Sequence, residues 1–223
     1  MDLGIAGRVA VVTGGSRGIG LETARMLRAE GTKVLLVARD AGRLADAAEG
    51  LDGDEEIATL PLDITVDDAG EQMLGAALEA FGGIDILVNN AGTARYRDIF
   101  EVPDKDWRGQ YELNVMAPLR AMKAIAPVLA ERGWGRIVNV CSTAAKRPSQ
   151  TMPEYSVAKA AELSLSRLFA DRYVGQGVLV NAITPAAVEA EIASTIVFLC
   201  SERASYVSGA AWSVDAGTVQ VII

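Results

Sequence analysis

Seven short apolar runs recur along the chain, at residues 9–12, 34–37, 57–61, 84–88, 136–140, 178–182 and 211–214. Most neighbouring runs are separated by a stretch with helical periodicity, at residues 21–30, 43–51, 69–81, 118–132, 155–173 and 189–200. Strands that alternate with helices build βαβ units, in which the strands lie parallel and the helices cover the sheet. The runs are apolar almost throughout rather than at every second position, as in strands buried on both faces. The expected fold is therefore α/β and doubly wound, with a mostly parallel sheet and helices on both faces. No repeat, low-complexity segment or linker interrupts the pattern, so residues 1–223 are expected to form one domain. In such a sheet a ligand sits outside the carboxyl ends of the strands, where the strand order reverses.

Between the first run and the first helical pattern lie Thr13, Gly14, Gly15, Ser16, Arg17, Gly18, Ile19 and Gly20. Glycines at 14, 18 and 20 let a strand turn tightly into a helix, admit a pyrophosphate close to the backbone, and seat the helix on the strand. The unpaired N–H groups and positive dipole end of the new helix then face the phosphates. The second run ends near Ala38, where an acid would bind the ribose hydroxyls of NAD. Here Arg39 and Asp40 follow instead. A guanidinium at that place pairs with a 2′-phosphate that an acid would repel, and Arg17 adds a second. NADP is thus expected over NAD, the alternatives being that Arg39 and Asp40 are solvated turn residues or that Asp40 reaches back to the ribose of NAD. Asp63 follows the third run, where its carboxylate can accept from an adenine amino group, and Asn89, Asn90, Ala91 and Gly92 end the fourth.

The net charge of −8 offers no basic footprint for nucleic acid. No run of about 18 or more uncharged apolar residues is present, so no membrane span is expected. The first residues lack the basic stretch and apolar block of a secretory signal, and a cytoplasmic location is expected. Cys141 and Cys200 lie in apolar runs and read as buried reduced thiols rather than a disulfide or metal pair. Histidine is absent, which removes the Ser-His-Asp triad and the usual zinc sites. Proton chemistry must come from Tyr, Lys, Asp, Glu or Cys. Tyr155 and Lys159 stand four residues apart in a helical pattern, on one face. A free phenol, with a pKa of about 10, is a poor base at neutral pH, and a neighbouring ammonium favours its ionised form. Ser142 closes the fifth run and can donate to a substrate oxygen, while Asn114 can hold a proton path.

These elements together resemble the classical short-chain dehydrogenase/reductase family. The resemblance rests on the glycine turn of residues 13–20, on Asn89 to Gly92, on Asn114, on Ser142, and on the pair Tyr155 and Lys159. It spans residues 7–185 and resumes over 191–217. It implies a Rossmann-type sheet of seven strands and hydride transfer between NAD(P) and a carbonyl/alcohol pair. It also implies Tyr155 as acid/base, Lys159 as its activator and a ribose ligand, Ser142 orienting the substrate oxygen, and Asn114 in the proton relay. Cofactor contacts are implied at Gly14, Ser16, Arg17, Gly18, Ile19 and Gly20, and at Arg39, Asp63 and Ile64. Further contacts are implied at Asn90, Ala91 and Gly92, at Pro185 and Val188, and at Tyr155 and Lys159. No metal is implied. The small-molecule substrate stays unidentified, and a homotetramer, or a dimer, is expected from the resemblance alone.

One departure stands out. After Pro185 the family continues Gly-x-Val/Ile-x-Thr into a substrate loop, whereas here Ala186, Ala187 and Val188 lead directly into the last helical pattern. A substrate lid is thus missing near residues 186–191. Either the lid is deleted, or an intervening mobile segment of the natural polypeptide is not carried in this sequence, the reading preferred here. An intact mass well above 23.5 kDa supports the second and a match to it supports the first. The deletion favours an alternative function, a catalytically idle cofactor-binding or regulatory protein, which the intact Ser/Tyr/Lys set opposes.

Overall fold

In the computed structural model, which describes residues 2–51, 54–186 and 188–219, seven parallel strands form one sheet. They are β1 (Val9–Thr13), β2 (Lys33–Ala38), β3 (Ile57–Pro61), β4 (Ile86–Asn89), β5 (Gly135–Val140), β6 (Val178–Pro185) and β7 (Ala211–Val214). Their order is β3-β2-β1-β4-β5-β6-β7. The chain winds outward from β1 to β3, then returns to β4 on the other side of β1, so the reversal lies between β1 and β4. Among the described residues the helices are α1 (Gly18–Ala29), α2 (Ala41–Glu49), α3 (Ala69–Phe81), α4 (Asp104–Tyr111), α5 (Ala117–Glu131), α6 (Thr143–Lys146), α7 (Pro153–Tyr173) and α8 (Glu189–Leu199).

Strand β1 shows why the runs are apolar at every position. Val9 and Val11 pack into the core beneath α3, α5 and α7, with Met73, Ile125 and Ala170. Ala10 and Val12 point to the opposite core beneath α1, α2 and α8, with Leu27, Leu44 and Ile196. Successive strand side chains face opposite sides, so two covered faces demand apolar residues at both. Fully burying each large aliphatic side chain stabilises by about 2 kcal/mol.

The fourth strand begins two residues later than its apolar run, although Asp85, just before it, still bonds both neighbouring strands, its N–H donating to Val9 O at 2.9 Å and its carbonyl accepting from the Arg136 N–H at 3.1 Å. Its carboxylate accepts from the Val9 N–H at 2.9 Å and pairs with Arg8 at 3.3 Å and Arg132 at 3.4 Å. Two helices escape the periodicity. The polar α4 has only one buried residue, Gln110, and α6 is four residues long. A π-turn, Glu112–Met116, joins α4 to α5. The resulting 28-residue helix, Asp104–Glu131, contains a window of mean hydropathy 1.2 that passes, by length and composition, as a span; half of that window is buried, as in a core helix. Cys141 and Cys200 are both unpaired thiols and buried. Strand β6 runs on to Pro185 and α8 starts at Glu189, leaving a three-residue link in which Ala187 lies outside the described residues.

Candidate active site

A cleft of about 1070 Å³ opens above the carboxyl ends of the strands at the β1/β4 reversal. The glycine turn forms one wall and is held by β4. Thr13 Oγ1 accepts from the backbone N–H groups of Asn90 at 2.9 Å and Ala91 at 3.1 Å. The Asn90 amide donates to Thr13 O at 2.9 Å and Gly14 O at 3.4 Å. Asn90 is therefore engaged in stapling the turn as well as lining the cleft. A β-carbon at Gly20 would lie 2.4 Å from Gly14 O, so this glycine serves packing beneath the cleft rather than its wall. Gly18 adopts φ +59°. Helix α1 starts there with no side-chain cap and no acid in its first turn, which leaves its orphan N–H groups and positive dipole end available to an anion.

Basic residues surround the adjoining end of the cleft. Arg17, Arg39 and Arg43 line it. Asp40 N-caps α2, accepting from the Arg43 N–H at 3.1 Å, and pairs with the Arg43 guanidinium at 3.4 Å. Asp63 accepts from the N–H of Thr65 at 3.0 Å and its hydroxyl at 2.7 Å. These bonds, backbone first, hold its carboxyl below the ordinary range, and Arg39 adds to them.

The opposite wall carries the ionisable set. Tyr155 and Lys159 face the cleft from the first turns of α7, and Ser142 from the end of β5. The Lys159 ammonium lies 5.8 Å from the Tyr155 ring centre. It donates to Val140 O at 2.8 Å and to Glu162 Oε2 at 2.8 Å. Burial works against that ammonium, but the facing Glu162 carboxylate, with Tyr155 and Cys141, outweighs it and leaves Lys159 above its ordinary range. Ser142 Oγ caps α6 by accepting from the Ala144 N–H at 3.1 Å, so its own O–H can still donate. Asn114 is buried in the π-turn, its amide donating to Gln110 O at 3.0 Å and Gln110 Oε1 at 2.7 Å. Its Oδ1 is buried with no hydrogen-bond partner. A β-carbon at Gly92 would lie 3.1 Å from that oxygen and 3.5 Å from Lys159 Nζ, so glycine keeps this part of the floor open.

The cleft gathers nearly all the expected site residues: Gly14, Ser16, Arg17, Gly18 and Ile19, Arg39, Asp63 and Ile64, Asn90 to Gly92, Ser142, Tyr155, Lys159 and Pro185. Gly20 and Asn114 lie beneath it. Val188 is exposed and outside the lining, where Ala186 and Glu189 stand instead. Arg43, Thr65, Gln110 and Glu162 were not anticipated. Arg43 is legible as a second guanidinium one helical turn beyond Arg39; Glu162, three residues after Lys159, reads as an ordinary surface acid until its burial is seen. A Rossmann cradle with orphan N–H groups, three guanidiniums, an open glycine floor and a buried unpartnered oxygen fits a dinucleotide carrying an extra phosphate. Glu189 opposes it, its Oε1 lying 3.3 Å from where a Gly18 β-carbon would be.

The model of the short chain dehydrogenase family matches residues 8–197. The galactitol 2-dehydrogenase (L-tagatose-forming) of Cereibacter sphaeroides is 36% identical over 245 residues, covering 95% of this chain and 94% of the relative. The 3-oxoacyl-[acyl-carrier-protein] reductase of Vibrio cholerae is 30% identical over 246 residues, covering 98% of this chain and all of the relative. That alignment is longer than the 223 residues of this chain, so the relative carries residues that have no counterpart here. The crystal structure of L-sorbose reductase from Gluconobacter frateurii, complexed with NADPH and L-sorbose, superposes with a TM-score of 0.94 at 32% identity, covering both chains fully.

Proposed function

The chain belongs to the short-chain dehydrogenase/reductase family of NAD(P)-dependent oxidoreductases, and from that premise we propose that it interconverts a small carbonyl compound and its secondary alcohol using NADP(H). The observation that carries the reading is the placement of Tyr155, Lys159 and Ser142 together on one wall of the dinucleotide cleft. A bound nicotinamide supplies a hydride to the carbonyl carbon, or takes one from the carbinol carbon. Tyr155 gives its phenolic proton to the carbonyl oxygen in reduction and removes the hydroxyl proton in oxidation. The Lys159 ammonium stabilises the phenolate. Ser142 donates to the substrate oxygen, and Asn114 belongs to the proton route beside Lys159. NADP rather than NAD is favoured because Asp40 is engaged as a helix cap and as the partner of Arg43, which leaves Arg17 and Arg39 to a 2′-phosphate.

Relatives that act on ketose/polyol and oxoacyl substrates make L-sorbose, L-tagatose and a 3-oxoacyl thioester suitable members of a ketone panel for an NADPH-oxidation assay. In Tyr155→Phe, turnover is expected to fall by at least about a hundredfold, with NADPH binding retained by thermal shift; unchanged turnover would refute the roles. The residues that relatives carry in excess are assigned here to the 186–188 link, the lid position. The same short link, with Glu189 beside Gly18, favours a second reading, a catalytically idle binder. That reading predicts no oxidation of NADPH with any ketone. Tyr111, Val157 and Leu168 are exposed on α4 and α7, which favours a homo-oligomer, measurable by light scattering.

A further inference from the structure

Glu162 is a carboxylate buried as deeply as the core, and the proton chemistry described above makes no use of it. Its side chain is 2% exposed and that of its partner Lys159 is 3% exposed. A buried carboxylate is costly unless it is paired and hydrogen-bonded, and Glu162 meets that demand through Lys159 at 2.8 Å. An ammonium has three N–H donors. Val140 O and Glu162 Oε2 take two, which fixes the nitrogen and leaves the third for the cleft.

We propose that Glu162 is a positioning residue that anchors Lys159 and offsets part of its field at Tyr155, setting the pH range in which the phenol acts as a base. The proposal rests on the reading of Tyr155 as the acid/base. With Glu162 ionised, the cluster of ammonium, carboxylate and phenol carries no net charge. Without the carboxylate it carries one positive charge, and the unbalanced Lys159 ammonium lets the Tyr155 phenol release its proton at lower pH. The other ionisable groups that face the cluster are Cys141 from the end of β5, whose thiol burial pushes up, and Arg95 and Glu189 across the cleft. Glu154, buried in the first turn of α7, is the remaining charge on that helix end. The charges across the cleft stand in solvent, where screening weakens them, so the buried Glu162 dominates.

The test is Glu162→Gln, which keeps an acceptor beside Lys159 and removes the charge. Two profiles are measured: the pH dependence of kcat for alcohol oxidation, and the ultraviolet phenolate titration that Tyr155→Phe abolishes in the same background. Both are expected to move about one pH unit lower than in the wild type. Profiles that stay in place or move upward would overturn the proposal, since a merely structural glutamate lowers activity without shifting either curve. Glu162→Leu, which fills the space without charge, gives the same reading where the glutamine variant does not fold. If no ketone or alcohol is turned over, the proposed function falls, and the phenolate titration by itself decides the role of Glu162.

Discussion

A carboxylate directly after Arg39 would be expected to repel a 2′-phosphate, and Asp40 is held away from that role by its neighbours. Its side chain caps α2 through the Arg43 N–H and pairs with the Arg43 guanidinium, so one acid orients a second arginine at the cleft rather than opposing the first. Charge-assisted bonds between a guanidinium and a phosphate contribute about 1.5–3 kcal/mol each. Arg39→Ala is therefore expected to weaken NADP binding by roughly tenfold to a hundredfold while leaving NAD within about twofold. Fluorescence titration with both dinucleotides checks this, and an equal loss for the two would show that Arg39 does not meet the phosphate. The sequence carried this reading as far as residue types allow. Arg17 and Arg39 could be named from position, but the choice between Asp40 as ribose ligand and Asp40 as cap depends on where α2 begins.

At the level of elements, the glycine turn and the start of α1 behave as one unit because three glycines there divide two duties. Gly14 and Gly18 take positive φ, whereas Gly20 is required by distance alone. A β-carbon there would lie 2.4 Å from Gly14 O and 2.5 Å from the Asn90 amide nitrogen, and neither can move without opening the staple between β1 and β4. Gly20→Ala is expected to destabilise the protein by about 1–3 kcal/mol and to abolish the dinucleotide-induced thermal shift. Gly75→Ala in α3 is the control, since nothing lies within 4 Å of its β-carbon, and helix propensity makes it neutral or stabilising by up to about 1 kcal/mol. Chemical denaturation that ranks the two variants alike would refute the packing role. Elements set by apolar burial were legible in the sequence, β1 as a continuous apolar run and α3 and α7 as helical patterns, and all three fall close to where those patterns put them. Elements set by polar contacts were not. The side-chain bonds of Asp85 to Val9, Arg8 and Arg132 ahead of β4, and the bracing of the π-turn at Asn114 by Gln110, leave no periodic trace.

For the molecule as a whole, the placement of Glu189 at the cleft has an electrostatic consequence. The sheet brings β6 beside β5 and so delivers Pro185 to the mouth of the cleft, on the side facing the glycine turn. Helix α8 begins at the cleft itself and its first residue, Glu189, joins the lining. An acid in the first turn of a helix is ordinarily favourable through the dipole of its own helix. Here the same carboxylate lies beside Gly18, where the unpaired N–H groups of α1 would hold a pyrophosphate, and like charges repel. Two unit charges a few ångströms apart in a solvated cleft differ by about 1 kcal/mol. Removing one of them in Glu189→Gln is thus expected to tighten NADP binding by about fivefold at low ionic strength. The gain is expected to shrink as salt is added, because an exposed pair is screened. Thermal shift with NADP at two salt concentrations measures both effects. A variant that binds no more tightly than the wild type at low salt would show that Glu189 does not stand over the phosphate-binding turn in solution, and that the cleft is open at this end.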